Sequence, residues 1–186
     1  MQTEQNLTGY SPIDKPWLKY YSEEAINALL PECTAYEYLL EKNKDALSDT
    51  ALIYFKRKIS YGEMFKCIDS TAVAFSALGV KQGDIVALAL PNIPENIYCV
   101  YGLNKLGAIA DMVDLRSKGD TLLHYFKESK ATVAVICSLF SENNFEILTQ
   151  TTIKKLIVVS PFDSLSAPLK LLMKSKEKNF LCWIAL

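Results

Sequence analysis

Between Gly83 and Val159, short and nearly unbroken apolar runs alternate with stretches of helical period. No other feature narrows the fold as much. The runs are Ile85–Leu90 (IVALAL), Ala108–Val113, Thr132–Cys137 and Lys155–Val159. A strand that is apolar at successive positions is covered on both faces, as in parallel sheets. Between the runs, the pattern predicts a helix over Glu95–Leu106 closed by Gly107, and a second from a cap at Asp120 to Glu128. A third is predicted from a cap at Ser141 to about Thr149. This β-α-β-α-β-α-β order predicts an α/β fold: a parallel βαβαβ sheet flanked by helices, with right-handed crossovers.

Upstream, residues 1–21 read as an irregular arm, with Pro12, Pro16 and the aromatics Trp17, Tyr20 and Tyr21. A short helix is predicted over Glu23–Leu30, stopped by Pro31. The next begins at Thr34, where Thr34 and Glu37 have capping-box spacing. Ala51–Phe55 and Lys58–Ser60 read as a hairpin turning at Lys56-Arg57, although tight hairpin turns favour Asn-Gly or Asp-Gly. The strongest helical signal follows. Ser60 and Glu63 form a second capping box, and Tyr61, Met64, Phe65, Ile68, Ala72, Phe75 and Leu78 line one face up to a stop at Gly79. Beyond Val159 come a loop with Pro161 and Pro168, a short basic helix, and the apolar run Phe180–Leu186.

Composition removes several function classes. Twenty basic and 21 acidic residues give a net charge of -1, so no global positive field draws in nucleic acid. The polar start has no apolar core of a signal peptide, and no run reaches the ~18 apolar residues of a membrane span. Five scattered cysteines (Cys33, Cys67, Cys99, Cys137, Cys182) form no Cys-x-x-Cys pair, and buried, reduced thiols in a cytoplasmic protein are expected.

Gly102 and Gly107 have the spacing of a phosphate loop, but Ala108-Ile109 follows them and they fall within and after a helix. His124, the sole histidine, sits on a predicted helix with neither nucleophile nor orienting partner in sequence, which favours a surface or packing role. Asp111 and Asp114 in "ADMVDLR" lie near a strand's carboxyl end, where acids can bind ligands. Asp114 with Arg116 fits a solvated corner. Asp111 falls mid-strand and needs either a sheet edge or a partner. The turn "PNIPEN" reads as a structural corner: Pro91 ends the strand, Asn92 caps, Pro94 fits the first helical turn, and Glu95 suits its positive end.

These pieces, in this order, resemble the start of the AMP-forming adenylating enzymes, which include acyl-CoA synthetases, peptide-synthetase adenylation domains and luciferases. The resemblance rests on Ala51-Leu52, Ser60-Tyr61-Gly62-Glu63, Leu78–Val80, Gly83–Val86, Pro91–Glu95 and Gly107-Ala108, and covers roughly residues 34–160. It implies activation of a carboxylic acid as an acyl-adenylate and transfer to a thiol, commonly coenzyme A, with ATP and magnesium. The arm "IDKPWLKYYSEEA" resembles bacterial members acting on fatty or other acyl carboxylates.

The family's phosphate loop, its aromatic-Gly-x-Thr-Glu motif and its mobile C-terminal lysine have no counterpart in these residues. The expectation is therefore an N-terminal fragment with no catalytic, cofactor-binding or metal-ligating residue of its own. Residues 1–50 form the arm and helices, 51–160 an incomplete α/β AMP-binding-type domain, and 161–186 a truncated, divergent tail. The fragment is expected to be inactive and to bind none of ATP, magnesium or coenzyme A alone. Its expected partner is the remainder of the adenylating enzyme, or a second copy through exposed apolar surface. Two alternatives stay open: a non-catalytic interaction module derived from such an enzyme, and an independent flavodoxin-like domain.

Overall fold

A computed structural model describes residues 7–114, 116–141 and 145–174. The apolar run Phe180–Leu186 and Cys182 lie outside the described residues. The chain divides into two compact units, residues 1–32 and 33–186.

The first unit holds two helical turns, α1 (Ser11–Asp14) and α2 (Glu23–Ile26), with a 3-10 turn at Pro16–Tyr20 between them. The Asp14 carboxylate gathers Thr8 N–H, Thr8 Oγ1–H and Gly9 N–H at 2.7–2.9 Å, and these bonds hold its pKa below the usual range. The helix predicted to reach Leu30 ends at Ile26, because the Asn27 side chain donates to Glu23 O at 2.8 Å and Leu29 and Leu30 are exposed. A helix this short gains little without tertiary burial.

The second unit opens with α3 (Ala35–Asn43), started by the predicted capping box: Glu37 N–H donates to Thr34 Oγ1, and Thr34 N–H donates to Glu37. The hairpin follows as β1 (Thr50–Tyr54) and β2 (Arg57–Ser60). Its turn is Phe55-Lys56, one residue earlier than expected, with Tyr54 paired to Arg57. Both turn residues have positive φ, 46° and 68°, the conformation of a two-residue turn that matches strand twist. Then comes α4 (Tyr61–Ala77), capped by Ser60, which accepts from Glu63 N–H. Gly79, at φ +84°, ends the helix in a left-handed stop.

The remaining elements are β3 (Ile85–Ala89), α5 (Pro94–Lys105), β4 (Ile109–Met112), α6 (Gly119–Ser129), β5 (Val133–Cys137), α7 (Ser138–Ser141), α8 (Phe145–Leu148), β6 (Lys155–Val159) and α9 (Ala167–Lys174). Helical backbone begins at Ser138, so Ser141 lies inside α7 and not ahead of the helix as expected, and it is present again at α8; residues 142–144 lie outside the described set. Nor does Asp120 cap α6. Lys118 occupies the cap position without a side-chain bond, and Asp120 sits inside the first turn.

Strands β3 to β6 form one parallel sheet in the order β4-β3-β5-β6. Alternate residues sort cleanly to its two faces. Val86, Leu88, Val133 and Val135 pack with Phe75 of α4 and Leu103 of α5. Ala87, Ala89, Ala134 and Ile136 pack with Leu122 and Phe126 of α6. This is the predicted α/β architecture with helices on both sides of a parallel sheet.

Gly102 explains how α4 and α5 come so close. A Cβ there would lie 3.2 Å from Ala72 N and 3.4 Å from Ile68 O. The helices are also pinned at one end: Lys105 donates to Asp69 at 2.7 Å, and the Tyr36 hydroxyl of α3 donates to the same carboxylate at 2.8 Å.

Candidate functional site at the carboxyl ends of the sheet

In the order β4-β3-β5-β6, the chain leaves β3 toward one side, then crosses back to the other. The switch point lies outside the carboxyl ends of β3 and β5, where open α/β sheets bind ligands. Two segments meet here, the Pro91–Asn96 corner after β3 and Cys137-Ser138 after β5.

The corner is built differently from the expected one. Pro94 takes the first helical position of α5, so Ile93 is the cap residue, in extended conformation with no side-chain cap bond. Asn92 lies one residue too early to cap and is exposed. Glu95 turns inward. One carboxylate oxygen accepts from Ser164 Oγ at 2.5 Å. Oε2 of Glu95 and Oδ1 of neighbouring Asn96 are buried with no donor among the described residues. Burial raises the Glu95 pKa above the usual carboxylate value, opposed by the Ser164 bond.

Ser164 belongs to the loop that follows β6, and two further bonds tie this loop across the crevice. Tyr54 Oη donates to Pro161 O at 2.8 Å, and Arg57 Nη1 donates to Ser164 O at 2.9 Å. Arg57 also pairs with Glu63, which leaves the second capping box half made: Glu63 N–H reaches Ser60, but its carboxylate serves the guanidinium. Around this cluster, burial pushes Tyr98 up to about 12, Cys99 up to about 12, and Cys67 upward. Neutral thiols and a neutral phenol are poor nucleophiles and bases at ordinary pH. The arrangement clasps the Pro161–Ser164 loop over the switch point.

The other sequence candidates lie elsewhere. His124 is on the exposed side of α6 with its ring 6.2 Å from that of Tyr125. Asp114 pairs with Arg116 at 2.7 Å in solvent, and the guanidinium holds its pKa at about 2. Asp111 lies on β4, an edge strand of the described sheet, half-buried and in register with Ala87. Gly102 and Gly107 serve the close helix contact and a φ of +69° after α5, not a phosphate.

Cys99 and Cys137 are buried as expected, but Cys33 is exposed, and none of the described cysteines is in a disulfide. Among the described residues, no group of three or more His, Cys, Asp or Glu could hold a metal ion. No described helix is long and apolar enough to cross a membrane.

The links Glu95–Ser164, Tyr54–Pro161 and Arg57–Ser164 had no signal in sequence, because their partners stand 69 or 107 residues apart.

A doubly wound parallel sheet with a loop clasped over its switch point defines the class. Comparison with known proteins gives the family. The family model for AMP-binding enzymes matches residues 40–179, and the chain belongs to that family. Among curated relatives, a crotonobetaine/carnitine–CoA ligase of Salmonella paratyphi A is 36% identical over 96 residues, 49% of this chain and 19% of the relative. The chain thus spans about a fifth of that relative's length.

Solved structures share the fold. An anthranilate CoA ligase bound to anthranoyl-AMP matches at a TM-score of 0.66 and 18% identity, over 84% of this chain and 31% of the other. A benzoate CoA ligase of Burkholderia xenovorans matches at a TM-score of 0.65 and 20% identity, over 74% of this chain and 28% of the other.

Proposed function

We propose that this chain is the opening segment of the large domain of an AMP-forming acid–CoA ligase, and that it supplies framework and no catalytic group. In the whole enzyme, a carboxylate would attack the α-phosphorus of ATP, releasing pyrophosphate. The acyl group would then pass from AMP to the thiol of coenzyme A. The observation that carries this reading is the AMP-binding match over residues 40–179 in a chain that spans 19% of a CoA-ligase relative. The clasp at the switch point agrees with it: Arg57 is engaged by Glu63 and by Ser164 O, and burial raises the pKa of Tyr98 and Cys99. Fatty or other acyl acids are the proposed substrates, on the resemblance of the N-terminal arm.

The test has two arms. Purified 186-residue chain should give no ATP–pyrophosphate exchange with carnitine, crotonobetaine, benzoate, anthranilate or long-chain fatty acids. A chimera in which this chain's matched stretch replaces that of the Salmonella ligase should retain exchange. Exchange by the chain alone, or a folded but inactive chimera, overturns the proposal.

A further inference from the structure

Among the described residues, strand β4 is paired on one side only. Ile109 N–H donates to Asp84 O and Val113 N–H to Leu88 O, so Ile109, Asp111 and Val113 direct their backbone toward β3. Ala110 and Met112 therefore direct theirs outward, and no described strand pairs with that side. Beside this edge runs a groove of about 620 Å³, floored by Ile85 and Ile109 and walled by Tyr125 and Glu128 of α6. Ile109 and Met112 are more than half exposed, at 51% and 54%. Asp111 and Glu128 stand along the groove, while the nearby Asp114 is already taken by Arg116.

We infer that the β4 edge receives an extended strand carrying a basic side chain opposite Asp111, supplied by the part of a full-length ligase outside this segment. The inference rests on the proposed function. Addition of a strand would satisfy the outward groups of Ala110 and Met112, and the groove would take alternate side chains of the incoming segment. A charge on an edge strand guards against indiscriminate pairing. Here the guard also selects, because Asp111 and Glu128 favour a basic strand. A second copy of this chain would bring the same carboxylates against themselves, and like charges across an interface oppose docking.

The probes are two fluorescein-labelled octapeptides of alternating valine and lysine, or valine and glutamate, titrated against the full chain by anisotropy. The lysine peptide should bind roughly fivefold tighter than the glutamate peptide. Met112→Pro removes an outward N–H without touching the ladder to β3, and should weaken binding about tenfold. Asp111→Lys should abolish the preference for lysine, and serves if the proline variant unfolds.

Overlapping peptides from the unmatched part of the Salmonella ligase form the second arm, in which a Lys- or Arg-bearing peptide displaced by the lysine probe supports the inference. Equal affinity for both probes, indifference to both substitutions, a dimer joined through β4, or no bound peptide in the second arm overturns it. An inactive chimera with intact peptide binding would reject the ligase reading alone. An active chimera without peptide binding would reject the edge alone.

Discussion

Glu95 has one carboxylate oxygen on Ser164 and the other buried without a donor. Burial raises its folded pKa above the ordinary 4.5. The native state then binds more protons than the unfolded chain as pH climbs from that value, so this group's contribution to stability falls with rising pH. Glu95→Gln keeps an acceptor for Ser164 and removes the ionisation. Urea unfolding at pH 4 and pH 7.5 should show a smaller loss of stability in the variant than in the parent across that interval, and equal losses would reject the assignment. Asn92→Ala should change stability by less than ~0.5 kcal/mol in the same measurement, because Ile93 and not Asn92 holds the cap position. The residues at this corner were visible in sequence, but their roles were not. Pro94 shifts the helix start by one position, and a partner 69 residues away draws Glu95 inward. Asp111 is the reverse case. Its mid-strand charge signalled a sheet edge or a partner, and β4 is an edge strand of the described sheet.

Among the elements, the β1–β2 hairpin has the least suitable local sequence for its shape. Phe55 and Lys56 both occupy left-handed backbone, which costs non-glycine residues about 1–2 kcal/mol each. The Tyr54 and Phe55 rings meet edge to face at 4.9 Å. Replacing Phe55-Lys56 with Asn-Gly should raise stability by ~1–2 kcal/mol, read from the denaturant midpoint. At the α4–α5 crossing, Gly102→Leu should cost ~3 kcal/mol, since backbone of α4 lies where the new side chain would begin. Helix α4 was legible from a long apolar period that stops at Gly79, and the four sheet strands from short, nearly unbroken apolar runs, the first bounded by Gly83 and Pro91. Continuous runs such as IVALAL can only be covered on both faces. The hairpin turn and the cap of α6 were not legible. Each depends on choices between adjacent residues of similar propensity, which tertiary packing decides.

Across the second unit, protection from amide exchange should follow sheet position. Amides of β3 and β5 are flanked by strands on both sides and should open only with the whole unit. Ala110 and Met112 should exchange orders of magnitude faster than Asp111 between them, a difference that hydrogen-exchange NMR resolves one amide at a time. The clasp over the switch point has a consequence for synthesis. Tyr54 and Arg57 bond to carbonyls 107 residues further along the chain. At ribosomal speed those carbonyls emerge roughly 5–20 s after the hairpin. Until then, neither the Tyr54 hydroxyl nor the second hydrogen bond of the Arg57 guanidinium has its final acceptor. The hairpin made early on the ribosome is thus finished late, by a stretch of chain that did not exist when its turn first closed.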